Sequence, residues 1–204
     1  MNIHDVTLIV PVRNERHNIG AFLRSLPEAA QIIVIDASDD DTPSLIRAIR
    51  PDNTRLIERK CNIAQARQLG ADIAHTPWLL FTDADVIFSL TYFAELERLN
   101  AQAKLGVIYG AKKATDRFET YHTWFERGQR AFAKLGIPAA TGSNMLISQR
   151  AFRASGGFDV RLPCNEDSEL AWRVRRAGFK SEFAPQLVVY ARDHRRLERG
   201  IGKR

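Results

Sequence analysis

The chain has 204 residues, 45% hydrophobic and 26% charged, which suits one domain with a buried core and is ordinary for a soluble globular protein. No stretch approaches the roughly 18 consecutive apolar residues of a membrane-spanning helix. Six basic residues stand against two acidic ones between Arg192 and Arg204, so most of the net +6 sits in that tail; the rest is nearly balanced, which argues against a protein that tracks a nucleic-acid backbone.

Met1 to Asp5 is polar and Val6 onward reads as a strand, so a signal peptide is not expected and a cytosolic location is the default. Val6-Thr7-Leu8-Ile9-Val10 is a buried strand expected to stop at Pro11. Ile19, Phe22, Leu23 and Leu26 follow at helical spacing. Ile32-Ile33-Val34-Ile35 is a second apolar strand, ending at Asp36. Thr42-Pro43 resembles an N-cap with proline in the first helical position, and Leu45, Ile46 and Ile49 supply that helix's apolar face. A short strand is expected near Arg55-Leu56-Ile57, a helix from about Asn62 to His75, and a strand at Trp78-Leu79-Leu80-Phe81 that ends at Asp83.

After Leu105 the pattern is less regular. Strands are expected at Gly106 to Gly110, Met145 to Ile147 and Val188 to Tyr190, with a helix from Ser168 to Ala177. Phe118 to Leu135 is rich in aromatic and charged residues and reads as one or two amphipathic helices. Its aromatics have three readings: packed core, a lid over the site, or a helix lying on a membrane surface. Cys61 and Cys164 lack metal-type spacing and are expected to be free thiols. The basic tail reads as a solvated end or as a contact for a diphosphate or an anionic membrane.

Continuous apolar strands separated by amphipathic helices imply a parallel sheet covered on both faces. Ligands of such sheets bind beyond the carboxyl ends of the strands, where Asp36, Asp83 and Asp85 fall. Two carboxylates one residue apart, as in Thr82-Asp83-Ala84-Asp85, suit a magnesium or manganese ion that also takes substrate phosphates. Such a metal would neutralise a departing diphosphate. Asp36 at a strand end can accept hydrogen bonds from a nucleobase, whereas Ser38 to Thr42 is explained by turn and capping chemistry alone. In Asn165-Glu166-Asp167 the carboxylates suit either a helix N-terminus or a general base that deprotonates an acceptor hydroxyl.

Seven segments in register carry a resemblance: Val10-Pro11-Val12-Arg13-Asn14-Glu15, Ile35 to Thr42, Ala66-Arg67-Gln68-Leu69-Gly70, Thr82 to Asp85, Gly142-Ser143-Asn144-Met145, Gly156-Gly157-Phe158-Asp159 and Asn165-Glu166-Asp167. Together, from about Thr7 to Tyr190, they resemble the family 2 glycosyltransferases. The resemblance implies the GT-A fold: a Rossmann-like α/β domain with a mostly parallel central sheet flanked by helices and a mixed back half. One domain over residues 1–204 is expected, with a nucleotide-sugar-binding half at 1–104, an acceptor half at 105–191 and a basic tail at 192–204.

The resemblance further implies that Pro11, Arg13, Asn14, Glu15 and Asp36 contact the donor nucleoside, and that Arg67 lies near the nucleotide. Asp83, Ala84 and Asp85 match the motif that holds Mn2+ or Mg2+ and the ribose-diphosphate, with Asp85 the more direct ligand. Asp167 matches the catalytic base, with Glu166 beside it shaping the acceptor site; Gly142, Ser143, Asn144 and Trp172 join the acceptor side. His194 matches a histidine that some relatives place as a further metal ligand, while Arg195 and Arg196 would steady the diphosphate. The implied reaction is inverting, metal-dependent transfer of sugar from a UDP- or GDP-sugar to a hydroxyl on a sugar or lipid-linked sugar. Gln68 departs from a common Asn, and Asp40-Asp41 from the usual Gly, which puts fine tuning in doubt rather than activity.

Three other classes compete. A sugar nucleotidyltransferase would need a glycine-rich loop after the first strand, which Pro11 to Glu15 is not. A dehydrogenase would need a G-x-G-x-x-G after a strand, and none occurs. A non-catalytic binding or scaffold module of the same fold would have no need of Asp36, Asp83, Asp85 and Asp167 together.

Overall fold

The computed structural model describes residues 1–99, 104–114, 118–162 and 164–192. After a short 3-10 turn (Ile3–Asp5) the order is β1 (Val6–Val12), α1 (Ile19–Arg24), β2 (Gln31–Asp36), α2 (Thr42–Ile49), β3 (Thr54–Glu58), α3 (Ile63–Ile73), β4 (Trp78–Thr82), β5 (Val86–Phe88), α4 (Tyr92–Arg98), β6 (Leu105–Lys113), α5 (Glu119–Lys134), β7 (Asn144–Ser148), α6 (Gln149–Ala154), α7 (Glu166–Arg176) and β8 (Lys180–Ala191). The strands form one sheet in the order β3-β2-β1-β4-β7-β6-β8-β5. Strands β1 to β4 pair in parallel, β7 runs antiparallel to β4 and β6, β8 is parallel to β6, and β5 is antiparallel to β8.

Strands β1, β2 and β4 are apolar on both faces because helices cover both. One face of the sheet packs Leu8, Val10, Leu80 and Ile32 with Phe22 and Leu23 of α1. The other packs Ile9, Leu79, Phe81 and Ile33 with Ala66 and Ala71 of α3 and with Leu170 and Val174 of α7. A Cβ on Gly70 would overlap the Ile9 side chain, so α3 lies directly on β1. The capping box of Asn62 and Gln65 starts α3 at the carboxyl edge of the sheet, which puts Arg67, one turn later, beside that edge.

The first strand does not stop at Pro11 as expected. The Val12 carbonyl accepts the Ala37 N–H at 2.8 Å, so Val12 bonds toward β2 and the missing N–H of Pro11 falls on the opposite side. There the pairing with β4 has already ended at Ile9 and Phe81, and proline costs the ladder nothing. Thr42 is the first helical residue of α2 rather than its cap. Its N–H and hydroxyl are both taken by the Asp40 carboxylate, at 3.0 and 2.5 Å.

The departure at Gln68 is accommodated by its longer reach. Its carbonyl oxygen accepts the Phe158 N–H at 2.7 Å, and a Cβ on Gly157, which has φ +70°, would overlap it. The expected last helix begins two residues early, at Glu166, and the last strand is far longer than Val188 to Tyr190. Phe118 to Leu135 forms a single helix, and packed core does not describe its aromatics: Trp124 is 66% exposed, while His122 and Gln129 are buried. Among the described residues no helix is long and apolar enough to cross a membrane.

Candidate functional site

Because β1 lies between β2 and β4, the carboxyl ends of all three open onto one edge. Asp36 is level with Val12, and Asp83 follows the last residue of β4, so about two strand spacings, roughly 10 Å, separate the two carboxylates across that edge.

At the β2 end the first two loops clasp each other. Asn14, at φ 55°, donates its N–H to Ser38 Oγ at 2.7 Å, and its side-chain oxygen accepts the Asp39 N–H at 2.8 Å. Lys60, just past β3, donates to the carbonyls of Ala37 and Ser38 at 2.9 and 2.6 Å and to the Asp39 carboxylate. That contact holds the Asp39 carboxyl below the usual carboxylate range, with Arg13 adding to it. Asp36 Oδ1 accepts the Ser38 N–H at 2.8 Å, while Oδ2 is buried with no hydrogen-bond partner among the described residues. A buried carboxylate oxygen without a donor is costly unless a ligand supplies one. A cleft of about 160 Å3 opens beside it, lined by Asp36, Ser38, Glu58, Arg59 and Lys60. Arg13 is exposed, and Glu15 accepts the Asn18 side-chain amide at 2.7 Å.

At the β4 end the centre is Arg67, only 2% exposed. Its guanidinium donates to Asp83 Oδ1 at 2.9 Å and to Glu166 Oε1 at 2.5 Å, so it bridges the turn after β4 and the start of α7. Asp167 accepts the Gly142 N–H on Oδ2 at 2.6 Å and the Ser168 N–H on Oδ1 at 2.7 Å, which ties α7 to the segment entering β7. Thr82 Oγ1 donates to the Ser143 carbonyl at 3.1 Å, closing the ring of contacts. A Cβ on Gly142 would overlap the Arg67 guanidinium. Gly142→Ala is therefore expected to destabilise the chain by about 1–3 kcal/mol through overpacking, read as a lower denaturant midpoint; an unchanged midpoint would mean that Arg67 has room to move.

Arg67, Asp83, Gly142, Glu166 and Asp167 thus meet in one hydrogen-bonded cluster, and Asn14 and Asp36 in a second beside it. Ala84 is buried in the core between Asp83 and Asp85. Asn144 lies behind the cluster: its oxygen accepts the Tyr92 hydroxyl at 2.7 Å and its amide donates to the carbonyls of Ala111 and Leu187 at 3.2 and 2.9 Å. Burial pushes the Tyr92 hydroxyl up, so it stays a donor. Trp172 is exposed on α7 under the Arg175 guanidinium, off the buried face of Leu170, Ala171 and Val174. His194, Arg195 and Arg196 lie outside the described residues. The last described residue before them, Arg192, donates its N–H to the Asp85 carbonyl at 2.8 Å, and β5 pairs with β8 from Val86 opposite Ala191.

Sequence reasoning missed Lys60, Arg59 and Ser38 as site residues. Lys60 had a usable signal, since it follows the third parallel strand as Asp36 ends the second. Among the described residues no three His, Cys, Asp or Glu side chains converge. Asp83 and Asp85 still fit a hard cation that takes one or two carboxylates and fills its other positions from substrate phosphates and water.

The model of glycosyl transferase family 2 matches residues 7–156. The pre-mycofactocin glycosyltransferase of Mycobacterium tuberculosis is 25% identical over 215 residues, covering 94% of this chain and 43% of that protein. The succinoglycan biosynthesis protein ExoA of Rhizobium meliloti is 25% identical over 213 residues, covering 91% and 63%. The chain therefore spans about half the length of these relatives. Among solved structures, the mannosyltransferase PcManGT from Pyrobaculum calidifontis, in complex with GDP-Man and Mn2+, superposes with a TM-score of 0.76 at 24% identity, covering 94% of this chain and 58% of that one. S. aureus TarS 1-349 in complex with UDP-GlcNAc gives 0.75 at 15% identity, covering 95% and 59%. These likenesses show the GT-A fold.

Proposed function

The chain belongs to glycosyl transferase family 2, and from that premise we propose that it moves a sugar from a UDP- or GDP-sugar to a hydroxyl acceptor, inverting the anomeric carbon in one in-line displacement. The observation that carries this reading is the cluster of Arg67, Asp83, Glu166, Asp167 and Gly142, which brings the start of α7 to the turn after β4, about two strand spacings from Asp36.

In this reading residues 1–104 bind the donor and 105–191 the acceptor. Asp36 Oδ2 accepts an N–H of the nucleobase, in the cleft bounded by Ser38 and Lys60, with Pro11 to Glu15 forming its rim. Asp83 and Asp85 would hold Mn2+ or Mg2+, which, when bound, neutralises charge on the departing diphosphate. One Asp83 oxygen is oriented by Arg67, so its carboxylate enters the site already positioned.

Asp167 takes the proton from the acceptor hydroxyl. Glu166 is buried and its Oε1 is taken by the Arg67 guanidinium, out of reach of an acceptor hydroxyl, so we assign it to holding Arg67 in place. His194 as a further metal ligand, and Arg195 and Arg196 on the diphosphate, follow two to four residues after the Arg192 contact with Asp85, a reach of roughly 7–14 Å. The GDP-Man, UDP-GlcNAc and Mn2+ bound by the structural neighbours support the donor and metal classes.

Thermal-shift and calorimetric titration with UDP, GDP and their sugar conjugates, with and without manganese, tests this. Stabilisation by one nucleotide in a manganese-dependent way supports the transferase reading and names the donor class. No response to any of them would favour a binding module without catalysis. Asp85→Ala is expected to remove the manganese-dependent part of donor binding and leave the fold intact; donor bound as tightly as by the parent chain would sink the metal assignment.

A further inference from the structure

Helix α5 is turned inside out. Its buried residues are His122 and Gln129, with Glu126 and Ala133 half-buried on the same side, so the helix meets the protein body with its polar face. At 100° per residue, Trp124, Leu135, Tyr121, Phe132 and Phe125 fall in that order within about a third of the circumference. All five are exposed, with Trp124 at 66% and Leu135 at 70%. From Tyr121 to Leu135 this makes an apolar stripe ~21 Å long that covers nothing among the described residues.

The open flank of the stripe is cationic. Arg127, Lys134 and Arg130 follow one another around the helix from its edge; Arg127 stands 5.3 Å over the Trp124 ring, and Arg130 pairs with the half-buried Glu126 at 2.8 Å. A protein interface enriches Arg beside its aromatics but depletes Lys, and its buried core carries little charge. A helix that lies in a bilayer surface instead sets aromatic and aliphatic side chains below the headgroups, with Arg and Lys reaching up to anionic lipid.

We propose that the α5 stripe is a docking surface for an anionic membrane, with Trp124 and Phe132 as its apolar anchors and Arg127 and Lys134 as its lipid-phosphate contacts. The docked helix is coupled to the cluster at the sheet edge. Gln129 donates to the Ala139 carbonyl at 2.8 Å, three residues before Gly142, and Arg175 of α7 holds the Gly136 carbonyl at the helix's C-terminal end. If the glycosyl-transfer reading holds, on which this last step rests, docking brings the site to an acceptor carried on a lipid.

The test uses the whole chain, without nucleotide or acceptor, mixed with vesicles of phosphatidylcholine alone or with phosphatidylglycerol. A Trp172→Phe background leaves Trp124 as the responsive indole, since Trp78 is buried. The expected result is co-flotation with the phosphatidylglycerol vesicles, a blue-shifted Trp124 emission and its quenching by brominated lipid. Trp124→Ser with Phe132→Ser is expected to weaken partitioning about tenfold with unchanged far-UV circular dichroism.

Three results would overturn the proposal: no co-flotation, binding undiminished in the double variant (the basic tail then being the carrier), or a dimer that the double variant dissociates. Vesicle binding is read apart from nucleotide binding, so loss of either leaves the other standing.

Discussion

Arg67→Met is expected to lower the stability of the folded chain by about 3–5 kcal/mol, the usual cost of removing one partner from a buried charge pair. Arg67 lies within the protein at 2% exposure, and Glu166 beside it at 5%, so the substitution strands a carboxylate with neither water nor a cation. The same change frees Asp83, whose Oδ1 it holds at 2.9 Å. Donor binding is therefore expected to weaken along with stability. Denaturant unfolding gives the first number and nucleotide titration the second. Adding Glu166→Gln to Arg67→Met should recover most of the lost stability, because the stranded charge is then gone, yet leave donor binding weak. An Arg67→Met chain that unfolds at the parent midpoint would show that the bridge does not matter.

Asp167→Asn is expected to leave donor binding near the parent value and to lower transfer to acceptor by about 10²–10⁴-fold, the range of general-base catalysis. The geometry separates it from its neighbour. Glu166 is locked against a guanidinium, while Asp167 is half-buried and, among the described residues, bonded only to two backbone N–H groups, of Gly142 and Ser168. A carboxylate oxygen carries two lone pairs, so each can still meet an acceptor hydroxyl. Asparagine keeps one acceptor and turns an amide toward the other N–H, a stability cost of about 1–3 kcal/mol that circular dichroism and unfolding would register separately. Turnover equal to the parent would remove Asp167 as the base.

How much of this was legible depended on where each contact partner sits along the chain. The strands β1, β2 and β4 announced themselves as continuous apolar runs because helices cover both faces of the sheet. Their ends, and with them Asp36 and Asp83, were read from the residues that stop those runs. Strand β5 is three residues long and exists through its pairing with β8, so periodicity had nothing to report. Strand β8 mixes Glu182, Pro185 and Gln186 with apolar residues and shifts register against β6, which hides a twelve-residue strand. Helix α5 misled in the opposite sense: its period was right, but aromatic residues suggested a core face that the protein leaves outside.

The amino-acid sequence by itself determined the order of the apolar strands, the carboxylates at their ends and the membership in glycosyl transferase family 2, because each depends on residues close together in the chain. The tertiary structure decided that Arg67 meets Glu166, 99 residues away, that Gly142 holds Asp167, and that α5 buries His122 and Gln129 instead of Trp124. Local pattern reports only how a segment tends to fold and which of its faces is apolar. Which segment comes back to cover that face, or to neutralise a buried charge, depends on the path of the whole chain through the sheet.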